Sequence, residues 1–175
     1  MFKSLFKAKP VHREALDLYS LAVEQARQPA FYTDLGVADR IDARFELYTL
    51  HVLLLFVRMR HDGQRGADLA QAMFDQYVSA LDNVLRELGV GDVSVGKKMR
   101  KLGEALYGRM ASYEKALTDN DVAGMTASIA RNVYETSDVE QGEALARYAF
   151  ASHEALATQT IAEIERQPKW AQISE

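Results

Sequence analysis

The chain has 175 residues, no cysteine, and 21 basic against 25 acidic side chains, giving a net charge of −4. That length suits one domain with a sizeable core, and 48% hydrophobic with 26% charged residues is a globular balance rather than a disordered or membrane-embedded one. Absence of cysteine excludes disulfides, thiolate metal sites, iron–sulfur clusters, covalently attached haem and cysteine nucleophiles, and the acidic balance argues against a dedicated nucleic-acid binder, DNA included.

Residues 1–10 alternate Phe2, Leu5 and Phe6 with Lys3, Lys7 and Lys9, contain no acid, and lack the apolar core of a secretory signal. This basic N-terminal segment reads as a solvated terminus or as a weak anchor at an anionic membrane surface. Residues 11–175 are predicted to form a single all-α domain of about six helices. The first helix covers 11–28, started by Pro10 and stopped by Pro29, with Leu16, Tyr19, Val23 and Ala26 facing inward. Phe31 and Tyr32 are expected to pin the following loop to the core.

The second helix, 39–61, is the centre of the predicted fold. Its stretch from Leu47 to Val57 carries no formal charge. Eleven helical residues reach roughly 16 Å, about half of a bilayer's hydrocarbon core, so the stretch cannot span a membrane alone. A helix that is apolar on every side belongs inside a protein, among other helices. Asp39 is positioned to cap its first turn.

The third helix, 67–88, places Leu69, Met73, Tyr77, Leu81, Val84 and Leu88 on one stripe and ends at Gly89. The fourth, 94–118, carries Val95, Met99, Leu102, Leu106, Met110, Tyr113 and Leu117 inward. Its internal glycines, Gly96, Gly103 and Gly108, each cost ~1 kcal/mol against alanine and point to close approach of another backbone or of a partner. A fifth helix covers 121–134. The sixth, 137–167, opens on the capping-box pattern Ser137-Asp138-Val139-Glu140.

Chemistry-bearing patterns are sparse. Gly91 to Lys98 fits G-x-x-x-x-G-K, but Lys98 stands where a magnesium-binding hydroxyl belongs and a helix precedes it instead of a strand. His51 reads as a core histidine, with a haem- or quinone-binding bundle as the rival. No Glu-x-x-His pair supports a metal site, and His12, His61 and His153 share no ligand spacing. Arg58, Arg60, His61 and Arg65 sit at the exit of the central helix, where the dipole favours cations. Lys97, Lys98, Arg100 and Lys101 do the opposite. They crowd the first two turns of the fourth helix, where each is disfavoured by ~0.3–1 kcal/mol, and Asp92 offsets only part of this. The cluster reads either as a solvated basic face or, because its placement works against the helix, as a binding patch for phosphate, acidic lipid, ribosomal RNA or an acidic protein surface.

The run from Leu85 to Met99 resembles the signature of the ubiquinol–cytochrome c chaperone family. Tyr107-Gly108-Arg109 and Arg131-Asn132-Val133-Tyr134 downstream, and Phe31-Tyr32, Val37, Asp39, Arg44-Phe45 and Leu50-His51 upstream, match in kind and order. Ala38 and Ala43 depart from the expected proline and glycine at the entry to the central helix. The resemblance implies a non-enzymatic assembly factor without a cofactor, binding newly made cytochrome b during construction of the cytochrome bc1 complex. Mitochondrial members work with a small partner protein near the ribosomal exit, which makes a partner subunit and the ribosome further candidate partners. With no transit peptide recognised, the expected place is a bacterial cytoplasm, peripheral at the inner face of the inner membrane. On this reading Asp92, Gly96, Lys97, Lys98, Arg100, Lys101, Gly108 and Arg109 form the partner-binding surface: the cations engage acidic groups on client, lipid or ribosome, and the glycines let an apolar client segment approach. The rivals are a haem- or quinone-binding bundle and a ribosome-associated factor with no cytochrome client.

Overall fold

The computed structural model describes residues 10–87 and 92–173, and every regular element among them is helical. In order these are α1 (Pro10–Ala26), the single turn α2 (Ala30–Thr33), α3 (Ile41–Met59), α4 (Gly63–Glu87), α5 (Asp92–Asp119) and α6 (Val122–Asn132). A 3-10 turn (Val139–Gly142) then leads into α7 (Glu143–Ala157) and α8 (Ile161–Arg166). The basic N-terminal segment up to Lys9, together with Leu88 and Gly89, lies outside the described residues.

The charge-free stretch sits where its composition requires. α1, α4, α5 and α7 all pack on α3. Leu47, Leu50, Val52, Leu53, Leu54 and Leu55 are buried, and their removal from water contributes about 10–20 kcal/mol before chain entropy is subtracted. Phe31 is fully buried, and the Tyr32 hydroxyl donates to the Ala26 carbonyl at 3.2 Å, so the aromatic pair does pin the loop.

Four local expectations are corrected. Leu16 is 48% exposed; α1 buries Ala26 as expected, but with it Leu18 and the small Ala15 and Ala22, alanines that let α1 approach its neighbours closely. Asp39 does not cap α3: its carboxylate takes the Arg44 guanidinium at 2.5 Å, and Arg40 occupies the cap position without a side-chain bond. The single helix expected over 137–167 is three pieces. Asp138, not Ser137, caps the 3-10 turn by accepting from the Glu140 amide, and Thr160 and Glu163 close a reciprocal capping box that restarts the chain as α8. No neighbouring backbone packs on the glycines of α5, since a Cβ at Gly96, Gly103 or Gly108 would find nothing within 4 Å, which leaves the partner alternative.

Close approach occurs elsewhere. A Cβ on Gly142 would lie 2.4 Å from the Thr126 carbonyl oxygen and 3.0 Å from the Ala130 amide nitrogen, both backbone atoms of α6. Gly142→Ala is therefore expected to destabilise the fold by about 1–3 kcal/mol through overpacking, read as a lower urea midpoint. An unchanged midpoint would show that the 3-10 turn can lift away from α6 freely.

Candidate functional site

Four elements converge on one open groove of about 500 Å³. The start of α3 contributes Ile41, Asp42, Phe45 and Glu46; the end of α4 contributes Leu81, Val84 and Leu85; α5 contributes Leu102 and Arg109; and the end of α6 brings Arg131 and Asn132, with Glu135 just beyond. The groove exists because the inward stripe of α4 runs past the body of the protein. Tyr77 is the last buried side chain of α4, and Val84 is 46% exposed. Ile41, at 71% exposure, faces the same space. The walls are thus aliphatic and wet, an arrangement that costs free energy unless something covers it.

The floor is an ion pair. Arg109 grips Glu46 with both arms of its guanidinium, Nε donating to Oε2 at 2.6 Å and Nη2 to Oε1. The same guanidinium lies over the Phe45 ring, 6.0 Å from its centroid. Glu46 is only 5% exposed; burial pushes its carboxyl above the ordinary range, and Arg109 opposes that rise. The rim is polar. Arg40 pairs with Glu135 at 2.8 Å, and Asn132 donates to the Tyr113 hydroxyl at 3.4 Å. Arg131 is exposed and has no acidic partner among the described residues.

The structure separates the residues expected to act together. Lys97, Lys98, Arg100 and Lys101 are all exposed on α5, as are Gly96 and Gly108, which leave its outer surface open. Asp92 opens the helix. Arg109 stands two to three turns further along α5 and is engaged by Glu46. Residues 92–98 are helical, so the glycine–lysine pattern there forms no phosphate-cradling loop.

The second basic cluster is consumed internally. Arg58 donates to the carbonyls of Leu156 at 3.1 Å and Gln159 at 2.6 Å, closing the end of α7. Arg60 pairs with Glu114, and Arg65 with Glu165 at 2.6 Å.

His51 is enclosed and used at both nitrogens. Nδ1 lies 2.7 Å from the Leu47 carbonyl, which can only accept, so Nδ1 carries the proton and Nε2 accepts from the Tyr148 hydroxyl at 2.9 Å. Gln25 donates to the same hydroxyl at 3.1 Å, and the Trp170 ring packs edge-on against the imidazole at 5.0 Å. Burial lowers the His51 pKa to about 4. A neutral imidazole with both nitrogens committed to the protein has no lone pair to offer an iron, so the geometry supports the core role over ligation.

A family model described as ubiquinol-cytochrome C chaperone matches residues 33–170. Ubiquinol-cytochrome-c reductase complex assembly factor 1 of Xenopus laevis is 23% identical over 136 residues, 77% of this chain and 68% of that protein. The corresponding assembly factor 1 of Mus musculus is 24% identical over 136 residues, covering 77% of this chain but 46% of the mouse protein. A crystal structure of the Cbp3 homolog from Brucella abortus superposes with a TM-score of 0.83 at 29% identity, over 92% of this chain and 90% of that one.

Proposed function

The chain belongs to the ubiquinol-cytochrome C chaperone family, a family of assembly factors and not of catalysts, and from that premise we propose that it holds newly made cytochrome b while the cytochrome bc1 complex is assembled. The client is held in the groove between α3, α4, α5 and α6. The observation that carries this reading is the pairing of Ile41 and Val84 across one open apolar space, in a protein whose other large side chains are mostly buried. An apolar helix of an unfinished membrane protein, not yet packed against its own partners, gains from covering its face there. Arg131, Asp42 and Glu135 at the rim receive the polar residues that flank such a helix. No bond is made or broken; the protein lends surface and is displaced when the client's own helices close. Among the described residues no helix is long and apolar enough to cross a membrane, which suits a factor that works from the inner face of the bilayer.

The test is deletion of the gene, with cytochrome b and complex III measured against other respiratory complexes as controls. Cytochrome b and complex III are expected to fall selectively and to recover with the wild-type chain. The Ile41→Asp/Val84→Asp double variant, folded by its thermal transition, is expected to capture the client at least about 30-fold more weakly and not to restore the complex. A deletion strain with normal complex III would refute the assignment, and full rescue by the double variant would refute the groove.

A further inference from the structure

Lys97, Lys98, Arg100 and Lys101 are exposed and without an acidic partner among the described residues, whereas Arg58, Arg60 and Arg65 are each engaged by acids or carbonyls. α5 runs from Asp92, so the four stand in its second and third turns, past the reach of the helix-end dipole, and local pairing does not account for them either. They stand where α4 and α5 have left the main core. α4 buries no side chain beyond Tyr77, and Val95, the first buried residue of α5, lies apart from the main hydrophobic cluster. We propose that this basic end of the α4–α5 hairpin is a membrane-docking surface that seats the protein on anionic lipid headgroups.

The side chains around the cations favour a bilayer over a nucleic acid. Tyr107, 64% exposed, follows Arg100 by two helical turns on the same side of α5. Cations beside an open tyrosine match the headgroup level of a bilayer. Three of the four cations are lysines, compact charges suited to a diffuse anionic plane and lacking the fork that reads a phosphate bidentately. The rest of the chain is more acidic than its net charge of −4 indicates, which repels a long polyanion but not a plane that touches one end of the molecule. Among the described residues Glu104 on α5 and Glu87 at the end of α4 are exposed acids near the four cations, fewer than the cations they face. This inference rests on the client reading in one respect: Val84 and Leu102 of the same hairpin line the groove, so docking would hold that groove where a membrane helix emerges.

The experiment is co-sedimentation of the full chain with phosphatidylglycerol-rich vesicles and with pure phosphatidylcholine vesicles, beside client capture in detergent. The wild type is expected to partition onto the anionic vesicles only, with binding lost at high salt. The quadruple variant Lys97→Gln, Lys98→Gln, Arg100→Gln, Lys101→Gln is expected to bind them at least about fifty-fold more weakly. A charge-keeping variant, Lys97→Arg, Lys98→Arg, Lys101→Arg, should bind as the wild type does, and all three proteins should capture client equally in detergent. Wild-type indifference to anionic vesicles overturns the proposal, as does unaltered vesicle binding by the quadruple variant. Cation-dependent binding of unstructured RNA in place of vesicles also overturns it, and so does loss of client capture by the quadruple variant in detergent. If the quadruple variant loses vesicles while the Ile41/Val84 variant still captures client, the membrane surface stands and the groove reading falls.

Discussion

Arg109→Leu is expected to destabilise the protein by about 3–5 kcal/mol at neutral pH, a large share of a domain's total stability. The cost arises at Glu46, which is buried and takes both of its charge-assisted hydrogen bonds from Arg109. Without the guanidinium, a carboxylate would be left in the groove floor with no counter-charge. Its pKa would then rise further, so the variant's deficit should shrink as pH falls and Glu46 takes up a proton. Replacing both partners, as Glu46→Met with Arg109→Leu, is expected to recover most of the loss, because an apolar floor costs no desolvation of charge. Urea denaturation of the three proteins across pH measures this. A loss below about 1 kcal/mol in the single variant would mean that the pair adds little to the fold, leaving Arg109 free to serve a client.

Acid should weaken the wild-type protein through His51. Its pKa is depressed from 6.5 to about 4 by burial, so the folded state resists a proton that the unfolded chain accepts. Stability from this source is complete above the unfolded pKa, falls as pH drops below about 6.5, and is exhausted near pH 4, a total of roughly 3 kcal/mol. Half-buried His153, also lowered by desolvation, acts in the same direction. The facing groups, Tyr148, Gln25 and Trp170, bring no compensating charge, and burial raises the Tyr148 hydroxyl so that it stays protonated and donating. His51→Gln, which cannot titrate, should show a flatter decline over that interval in denaturant midpoints. Parallel curves for the two proteins would remove His51 as the source.

Some of this was legible in the residue order and some was not, for identifiable reasons. A run without charge between Glu46 and Arg58 announces a buried helix because nothing else tolerates it, and α3 is where it was expected. Leu16 misleads because its size carries a strong hydrophobic signal, while the packing of α1 depends on alanines that carry little. The stop after α7 is marked by neither proline nor glycine; the signal present was Thr160 with Glu163 three residues on, a second capping pattern inside an otherwise helical run. The cations of α5 were legible as a cluster, four in five positions of an acidic chain, but α5 starts at Asp92 and sets them beyond its first turn, where the dipole no longer penalises them. The groove was not, because it is assembled from four helices. Its floor joins residues 63 apart, and from sequence Glu46 was only the edge of the apolar run.

The enclosure of His51 also sets a timetable for the ribosome. Ninety-seven residues separate the imidazole from the hydroxyl that satisfies it, and the indole that covers it comes later still. While the chain is being translated, its greasiest segment must therefore wait through most of synthesis before its last neighbours exist. Loops of that length close slowly. A protein that shelters an unfinished polypeptide is, during its own birth, a nascent chain with the same exposure.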